Sequence, residues 1–187
     1  MEKTNKQAKR NIVKIVLTGP ESTGKSTLAK GLAKHYNTVW VEEYLREFAE
    51  EKYSKNEELI YSDNLLIAKG QMNLEQEAIK HANKYIFCDT DILQTVIYSN
   101  EYYNKVQPTL KEKLQTSSTS LYLLLNLDVS WEEDHLRDKP NDRIRMFNII
   151  EETLIKFNKK YAVIEGDGDI RLHNAINTIE KHFNKQL

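Results

Sequence analysis

A three-layer α/β sandwich around a parallel sheet is the fold this sequence predicts, and three observations predict it. The stretch Gly19-Pro20-Glu21-Ser22-Thr23-Gly24-Lys25-Ser26-Thr27 fits the phosphate-binding P-loop pattern G-x-x-x-x-G-K-[ST] without a mismatch. The apolar, β-branched run Ile12 to Leu17 precedes it and helically spaced Leu28 and Leu32 follow, so the pattern lies between a buried strand and a helix. Beyond it, short apolar runs alternate with helical segments to the end of the chain, as parallel strands joined by right-handed crossovers do.

Taken in order, residues 1–11 are polar with several lysines and read as a disordered tail; one domain, 12–187, follows. The second strand is Thr38-Val39-Trp40-Val41, ending at Glu42-Glu43, with a helix from Tyr44 to Lys52. A polar link from Ser54 to Glu58 leads to a long amphipathic helix from about Asp63 to Asn83. Tyr85-Ile86-Phe87-Cys88 is the third strand, ending at Asp89-Thr90-Asp91. Helical pieces from Ile92 to Tyr103 and from Pro108 to Leu114 come next, then a strongly apolar fourth strand from Ser120 to Leu127. A charged stretch from Trp131 to Arg145 opens a helix running to about Asn158. The fifth strand is Tyr161 to Ile164, followed by the turn Glu165-Gly166-Asp167-Gly168-Asp169 and a closing helix from Ile170 to Phe183. No internal repeat or linker interrupts the order.

At 187 residues the chain suits one domain with a sizeable core, and 40% hydrophobic with 29% charged residues is an ordinary globular balance. A net charge of −1, from 27 basic and 28 acidic residues, argues against nucleic-acid binding as the main function. No apolar segment follows the N-terminal charges, so no secretory signal is expected. The longest apolar run, Leu121 to Leu125, is too short for a membrane. One cysteine, Cys88, excludes an internal disulfide and suits a cytoplasmic protein; its apolar strand makes it a core thiol rather than a reactive one. The histidines His35, His81, His135, His173 and His182 lack metal-ligand spacing. Nothing in the sequence indicates an oligomeric state.

The P-loop residues carry a definite chemistry. Gly19 and Gly24 let the backbone turn its N–H groups inward around anionic oxygens, and the helix beginning near Lys25 adds its positive end. Lys25 supplies charge to the β- and γ-phosphates of ATP, and the Ser26 hydroxyl is placed to ligate Mg²⁺. Ligands in such sheets sit outside the carboxyl ends of the strands, so the strand ends hold the other candidates. Asp89 ends the third strand as a Mg²⁺-holding aspartate would, with a turn or helix-cap role as the alternative. Asp91 is read as a substrate-hydroxyl acceptor or a cap. Glu43 can accept a proton from a hydroxyl facing the γ-phosphate, or serve as a carboxylate at a helix start; Arg46 binds an anion or steadies that carboxylate. Arg137 and Arg143, with Arg145 behind them, suit a lid that neutralises the transferring phosphoryl group, although nearby Glu132, Glu133, Asp134 and Asp138 equally suit a salt-bridged helix. The turn at 166–169 could brush an adenine ring but reads first as a plain turn.

With these pieces in order, the sequence resembles the ribosylnicotinamide kinase domain of the bacterial NAD-biosynthesis regulator and its stand-alone relatives. The blocks that carry the resemblance are Gly19 to Ser26, Glu43-Tyr44-Leu45-Arg46-Glu47, Tyr61-Ser62-Asp63, Phe87-Cys88-Asp89-Thr90-Asp91, Trp131 to Asp138, and Asp142-Arg143. Together they span nearly the whole chain from Ile12 onward. The resemblance implies a nucleoside/nucleotide-kinase-like P-loop sandwich with a five-stranded parallel sheet and a lid. It implies transfer of the ATP γ-phosphate to the 5′-hydroxyl of nicotinamide riboside, a small-molecule acceptor, giving nicotinamide mononucleotide. In that reading Lys25 and the loop hold the phosphates, Ser26 and Asp89 serve Mg²⁺, Glu43, Arg46 and Asp91 face the ribose, and Arg137 and Arg143 form the lid. Tyr44, Tyr61 and Trp131 are its candidates to pack on the positively charged nicotinamide ring. The adenylyltransferase signature H-x-G-H and the helix-turn-helix of the multifunctional members are not found here, so those activities are not carried over. Fused members tend to place an aromatic directly before the glutamate, where this chain has Glu42, with Trp40 two residues further back. Alternatives are a kinase for another nucleoside or small metabolite, or a regulatory P-loop ATPase.

Overall fold

The computed structural model describes residues 11–131 and 142–184. The expected tail over residues 1–11 therefore lies, but for Asn11, outside the described residues, as does Arg137. The chain runs β1 (Val13–Thr18), α1 (Lys25–His35), β2 (Val39–Val41), α2 (Tyr44–Ser54), α3 (Asp63–His81), β3 (Tyr85–Asp89), α4 (Ile92–Tyr103), α5 (Pro108–Thr116), β4 (Leu121–Leu125), α6 (Arg143–Lys156), β5 (Tyr161–Ile164) and α7 (Gly168–Asn184).

All strand pairings are parallel, in the order β2-β3-β1-β4-β5. The expected fold is thus observed, with β1 at the centre and the P-loop emerging from its carboxyl end. The alternation of side chains along β1 explains the two core layers. Ile15 and Leu17 point to one face and pack with Leu28, Leu32, Ala175 and Ile179 of α1 and α7. Val16 points to the other, where Ile86, Cys88, Tyr122 and Leu124 meet helices α3 to α6. Both faces of the sheet are covered, which is why β3 and β4 read as unbroken apolar runs and are buried throughout. Cys88 is a fully buried core residue, as expected.

Some boundaries differ from the sequence reading, each for a local reason. Thr38 stands outside β2, because its hydroxyl donates to the Tyr85 carbonyl at 2.6 Å while its N–H returns to Ala33 at 2.9 Å. β4 ends at Leu125; the Asn126 carbonyl leaves the ladder to accept from Arg171 at 3.1 Å. α2 runs on to Ser54, through part of the expected polar link, and its end is closed by the Lys55 and Asn56 N–H groups. Among the described residues, no helix is long and apolar enough to cross a membrane.

Candidate active site

A cavity of about 1770 Å³ opens at the carboxyl ends of the strands. Its floor is the P-loop. Gly19 adopts φ 150°, where a Cβ would stand 3.1 Å from both the Leu125 carbonyl and the Thr23 hydroxyl, so the approach of loop to sheet requires glycine. Gly24 caps α1 in the left-handed region at φ 78°, and the Leu28 N–H returns to its carbonyl at 3.0 Å. Ser22, also left-handed at φ 55°, completes the curve. Thr23 is buried and donates to the Pro20 carbonyl at 2.8 Å, while Lys25 Nζ lies across the loop, 3.1 Å from the Gly19 carbonyl and 2.9 Å from that of Pro20. Glu21 to Thr27 line the cavity.

Ser26 and Asp89 meet on this floor, with the hydroxyl donating to Asp89 Oδ2 at 2.5 Å. Asp89 Oδ1 is buried and has no hydrogen-bond partner. Burial pushes the Asp89 carboxyl up against the pull of the Lys25 charge and the Ser26 hydroxyl. A hydroxyl beside a carboxylate with an unused buried oxygen is a pair of hard oxygen donors, and it fits a magnesium ion that also takes ligands from phosphates and water.

Thr90 and Asp91 depart from what the strand pattern suggests. In a continuing strand Asp91 would share the face of Asp89. Thr90, a β-branched residue in the left-handed region at φ 65°, breaks the alternation and turns Asp91 to the opposite side of the sheet. There Asp91 Oδ1 caps α4 through the Leu93 N–H at 2.9 Å, and Oδ2 accepts from Tyr122 at 2.9 Å and Thr119 at 3.2 Å. Lys14 Nζ stands 3.3 Å from Asp91 and 2.6 Å from Glu75. Burial pulls the Lys14 ammonium down, but the two carboxylates outweigh it and hold it above its ordinary value. Asp91 is therefore a cap inside a buried ionic cluster, and the expectation that it faces substrate is corrected.

Glu43 occupies the N-cap position of α2, yet its side chain makes no capping hydrogen bond. It reaches toward the floor instead, where the Thr90 hydroxyl lies 3.5 Å from Oε1. Burial and the neighbouring Asp89 charge raise its pKa to about 7, against the pull of Lys25 and Arg46. A carboxylate tuned to that range is suited to accept and release a proton near neutrality. Arg46 and Tyr44 also line the cavity, with the Tyr44 ring laid so closely over Gly70 that a Cβ there would fall 2.0 Å from Cε1.

Three more expected residues are not brought to the cavity. The Tyr61 ring packs edge-on against Tyr103 at 5.7 Å, with Lys105 Nζ 4.1 Å from its centroid; Tyr103, with Tyr98 and Tyr102, lines the cavity in its place. Trp131 is half-buried beyond the lining. Arg143, the first residue of α6, donates to the backbone carbonyls of Ser22 at 3.2 Å and Val129 at 2.9 Å, so it ties the P-loop to the stretch after β4 and is not itself among the lining residues. Arg145 pairs with Glu101 at 2.6 Å and Asp142 at 2.8 Å, the salt-bridged alternative.

Besides Tyr98, Tyr102 and Tyr103, Arg171 went unread in the sequence. Arg171 of α7 is 3% exposed, donates to the Thr23 and Asn126 carbonyls, and lines the cavity beside Asp167, Gly168 and Asp169. Its signal was available: it stands four and eight residues before Ala175 and Ile179, on the buried stripe of an amphipathic helix. The turn before it, expected to be plain, is part of the cavity wall.

A model of the family described as AAA domain matches residues 14–171. The chain is 31% identical over 176 residues to the trifunctional NAD biosynthesis/regulator protein NadR of Escherichia coli (strain K12), covering 92% of this chain. It spans 43% of the length of that protein. Two crystal structures of NadR protein share its fold. The one in complex with NR has a TM-score of 0.80 at 23% identity, and the one in complex with NAD and AMP-PNP 0.75 at 22%; each covers 92% of this chain and, respectively, 52% and 49% of theirs. Thymidylate kinase from Candida albicans has a TM-score of 0.63 at 18% identity, covering 92% of both chains.

Proposed function

The chain belongs, over residues 14–171, to the AAA domain family, and from that premise we propose that it is an ATP-dependent kinase acting on the 5′-hydroxyl of nicotinamide riboside, with nicotinamide mononucleotide and ADP as products. The observation that carries the reading is the uncapped Glu43 carboxylate, raised to about 7, standing over the same floor as Lys25, Ser26 and Asp89. A nucleotide switch needs no base for an acceptor hydroxyl there. The similarity to part of NadR, and the NR and AMP-PNP of the NadR complexes, support the choice of acceptor and donor.

In this mechanism the loop N–H groups and Lys25 hold the β- and γ-phosphates, Lys25 exchanging its loop carbonyls for phosphate oxygens. Ser26 and the free oxygen of Asp89 would hold Mg²⁺, which supplies charge neutralisation at the transferring group. Glu43 accepts the proton as the 5′-oxygen bonds to the γ-phosphorus and the bond to the ADP oxygen breaks. Arg46 steadies the Glu43 carboxylate in its charged form. Tyr98, Tyr102 and Tyr103, with Tyr44, form an aromatic wall for a positively charged ring. Arg143 steadies the P-loop, and Arg137 is assigned to the lid. The single buried thiol, Cys88, suits the reducing cytoplasm in which such salvage would run.

ADP release by the purified protein, measured across a panel of nucleosides, tests the proposal. Nicotinamide riboside is expected to raise turnover most. Turnover that no nucleoside raises above background rejects the kinase, and a clear preference for another nucleoside rejects the acceptor alone.

A further inference from the structure

The loops after β1, β4 and β5 converge on one side chain. Arg171 donates through Nη1 to the Thr23 carbonyl of the P-loop and through Nη2 to the Asn126 carbonyl at 3.1 Å, and Nη2 stands 3.5 Å from Asp128 Oδ2. The same Asp128 oxygen accepts from the Gly166 N–H at 2.7 Å, and the Arg171 N–H returns to Asp167 at 3.1 Å. A guanidinium has five donors in a rigid plane, so it can hold several acceptors at a fixed mutual angle, which a lysine cannot. The side chain is buried at 3% exposure and burial pushes its pKa down, yet its carboxylate partner Asp128 stands at 3.5 Å and its shorter bonds go to backbone carbonyls. Stability alone is a poor reason to keep such a charge buried.

The cavity has two ends on either side of the P-loop floor. Glu43 and Tyr98 mark one, and the turn at Asp167 to Asp169 with Leu172 marks the other. Leu172 of α7 abuts α1 closely, its Cδ1 3.3 Å from where a Cβ of Gly31 would be, so the helix that begins at the turn rests directly against the helix that bears Lys25. With the γ-phosphate directed at Glu43, the nucleoside of the donor must extend toward the turn. We propose that Arg171 is the positioning residue of the donor-nucleotide site, fixing the separation between the phosphate cradle at Thr23 and the wall at 167–169 against which the nucleoside lies. The inference rests on the ATP-dependent kinase reading but not on its acceptor.

Titrating ATP and inorganic tripolyphosphate into the 187-residue protein without acceptor, by calorimetry, tests this. Arg171→Lys is expected to weaken ATP about tenfold or more while tripolyphosphate, which touches only the cradle, weakens less than about threefold. Equal losses for both ligands would make Arg171 a brace of the loop alone and overturn the proposal, as would unchanged ATP affinity. Should Arg171→Lys not fold, Asp128→Asn loosens the same link from the side of the turn. It is expected to weaken ATP by about threefold and tripolyphosphate not at all, and the absence of that difference overturns the proposal. A wild-type protein that binds ATP yet phosphorylates no nucleoside rejects the kinase reading and leaves this comparison standing.

Discussion

The two ends of the cavity, proposed to take donor and acceptor, are built differently. At the donor end most polar groups are held by others: Thr23 by Pro20, Lys25 by two loop carbonyls, Ser26 by Asp89, and the loop by Arg143 and Arg171, while Asp89 Oδ1 is left without a hydrogen-bond partner. At the acceptor end Glu43 is approached by one hydroxyl at 3.5 Å and is held in place chiefly by where α2 begins. The first end is held tightly because short-range bonds within the P-loop are joined by Asp89, Arg143 and Arg171, which reach it from far along the chain. The second is assembled from β2, β3, α2 and α4, and its chemistry depends on burial and on charges that no local motif contains. A site divided this way fixes the common substrate with backbone geometry and leaves the acceptor to side chains.

The largest effect should come from the tightly held end. Lys25→Ala is expected to lower turnover at least about 1,000-fold with every nucleoside, since the transferring charge loses its mobile partner; ADP release reads this, and an effect confined to one acceptor would contradict the division. Lys14→Met should be nearly as costly but in stability rather than chemistry. It leaves Asp91 and Glu75 buried without their cation, at about 3 kcal/mol or more, read as a fall in the denaturation midpoint. Asp91 would then be seen as structural, while Asp89 beside it in sequence is not.

Glu43→Gln is expected to lower kcat about 100-fold with ATP affinity intact, and undiminished turnover would return Glu43 to the helix start alone. The same variant carries a pH signature. Because the folded protein holds the Glu43 pKa at about 7, above its ordinary 4.5, the folded state binds more protons in that interval and wild-type stability falls as pH rises through it. Removing the charge should therefore raise the melting temperature relative to wild type at pH 8 and leave it unchanged at pH 4. The smallest effect belongs to Thr90→Gly. Relief of the left-handed strain and the added freedom of the unfolded chain each amount to about 1 kcal/mol and oppose one another, so chemical denaturation should find little change. Loss of the hydroxyl near Glu43 should still lower kcat a few-fold. A large loss of stability would show that Thr90 is not strained.

The parts legible in the sequence were those with local causes. Strands β1, β3 and β5 and helix α4 were read nearly to the residue: burial on both faces makes β3 and most of β1 continuous apolar runs, while turns bound the half-buried edge strand β5 and Asp91 opens α4. Ser26 and Asp89 were paired from motif and strand end alone. Asp91, read as a substrate-hydroxyl acceptor or a cap, is the cap, because a one-residue change in backbone hand at Thr90 reverses which face it takes, and no threonine announces a left-handed conformation. Tyr61 was chosen over Tyr103 for its place in a family block, whereas α4 carries Tyr98, Tyr102 and Tyr103 to the cavity.

By itself, then, the sequence determined the sheet, its central strand, the phosphate loop and the hydroxyl–carboxylate pair, since each follows from periodicity, from the residue pattern of the loop or from the place of a carboxylate at a strand end. Only the tertiary structure decided that Glu43 is uncapped and raised to about 7, that Asp91 belongs to the core with Lys14, and that Arg171 joins three loops. The reason is physical: a side chain's protonation and partners depend on dielectric, charge and distance, and parallel strands joined by long crossovers bring those from residues far away in the chain.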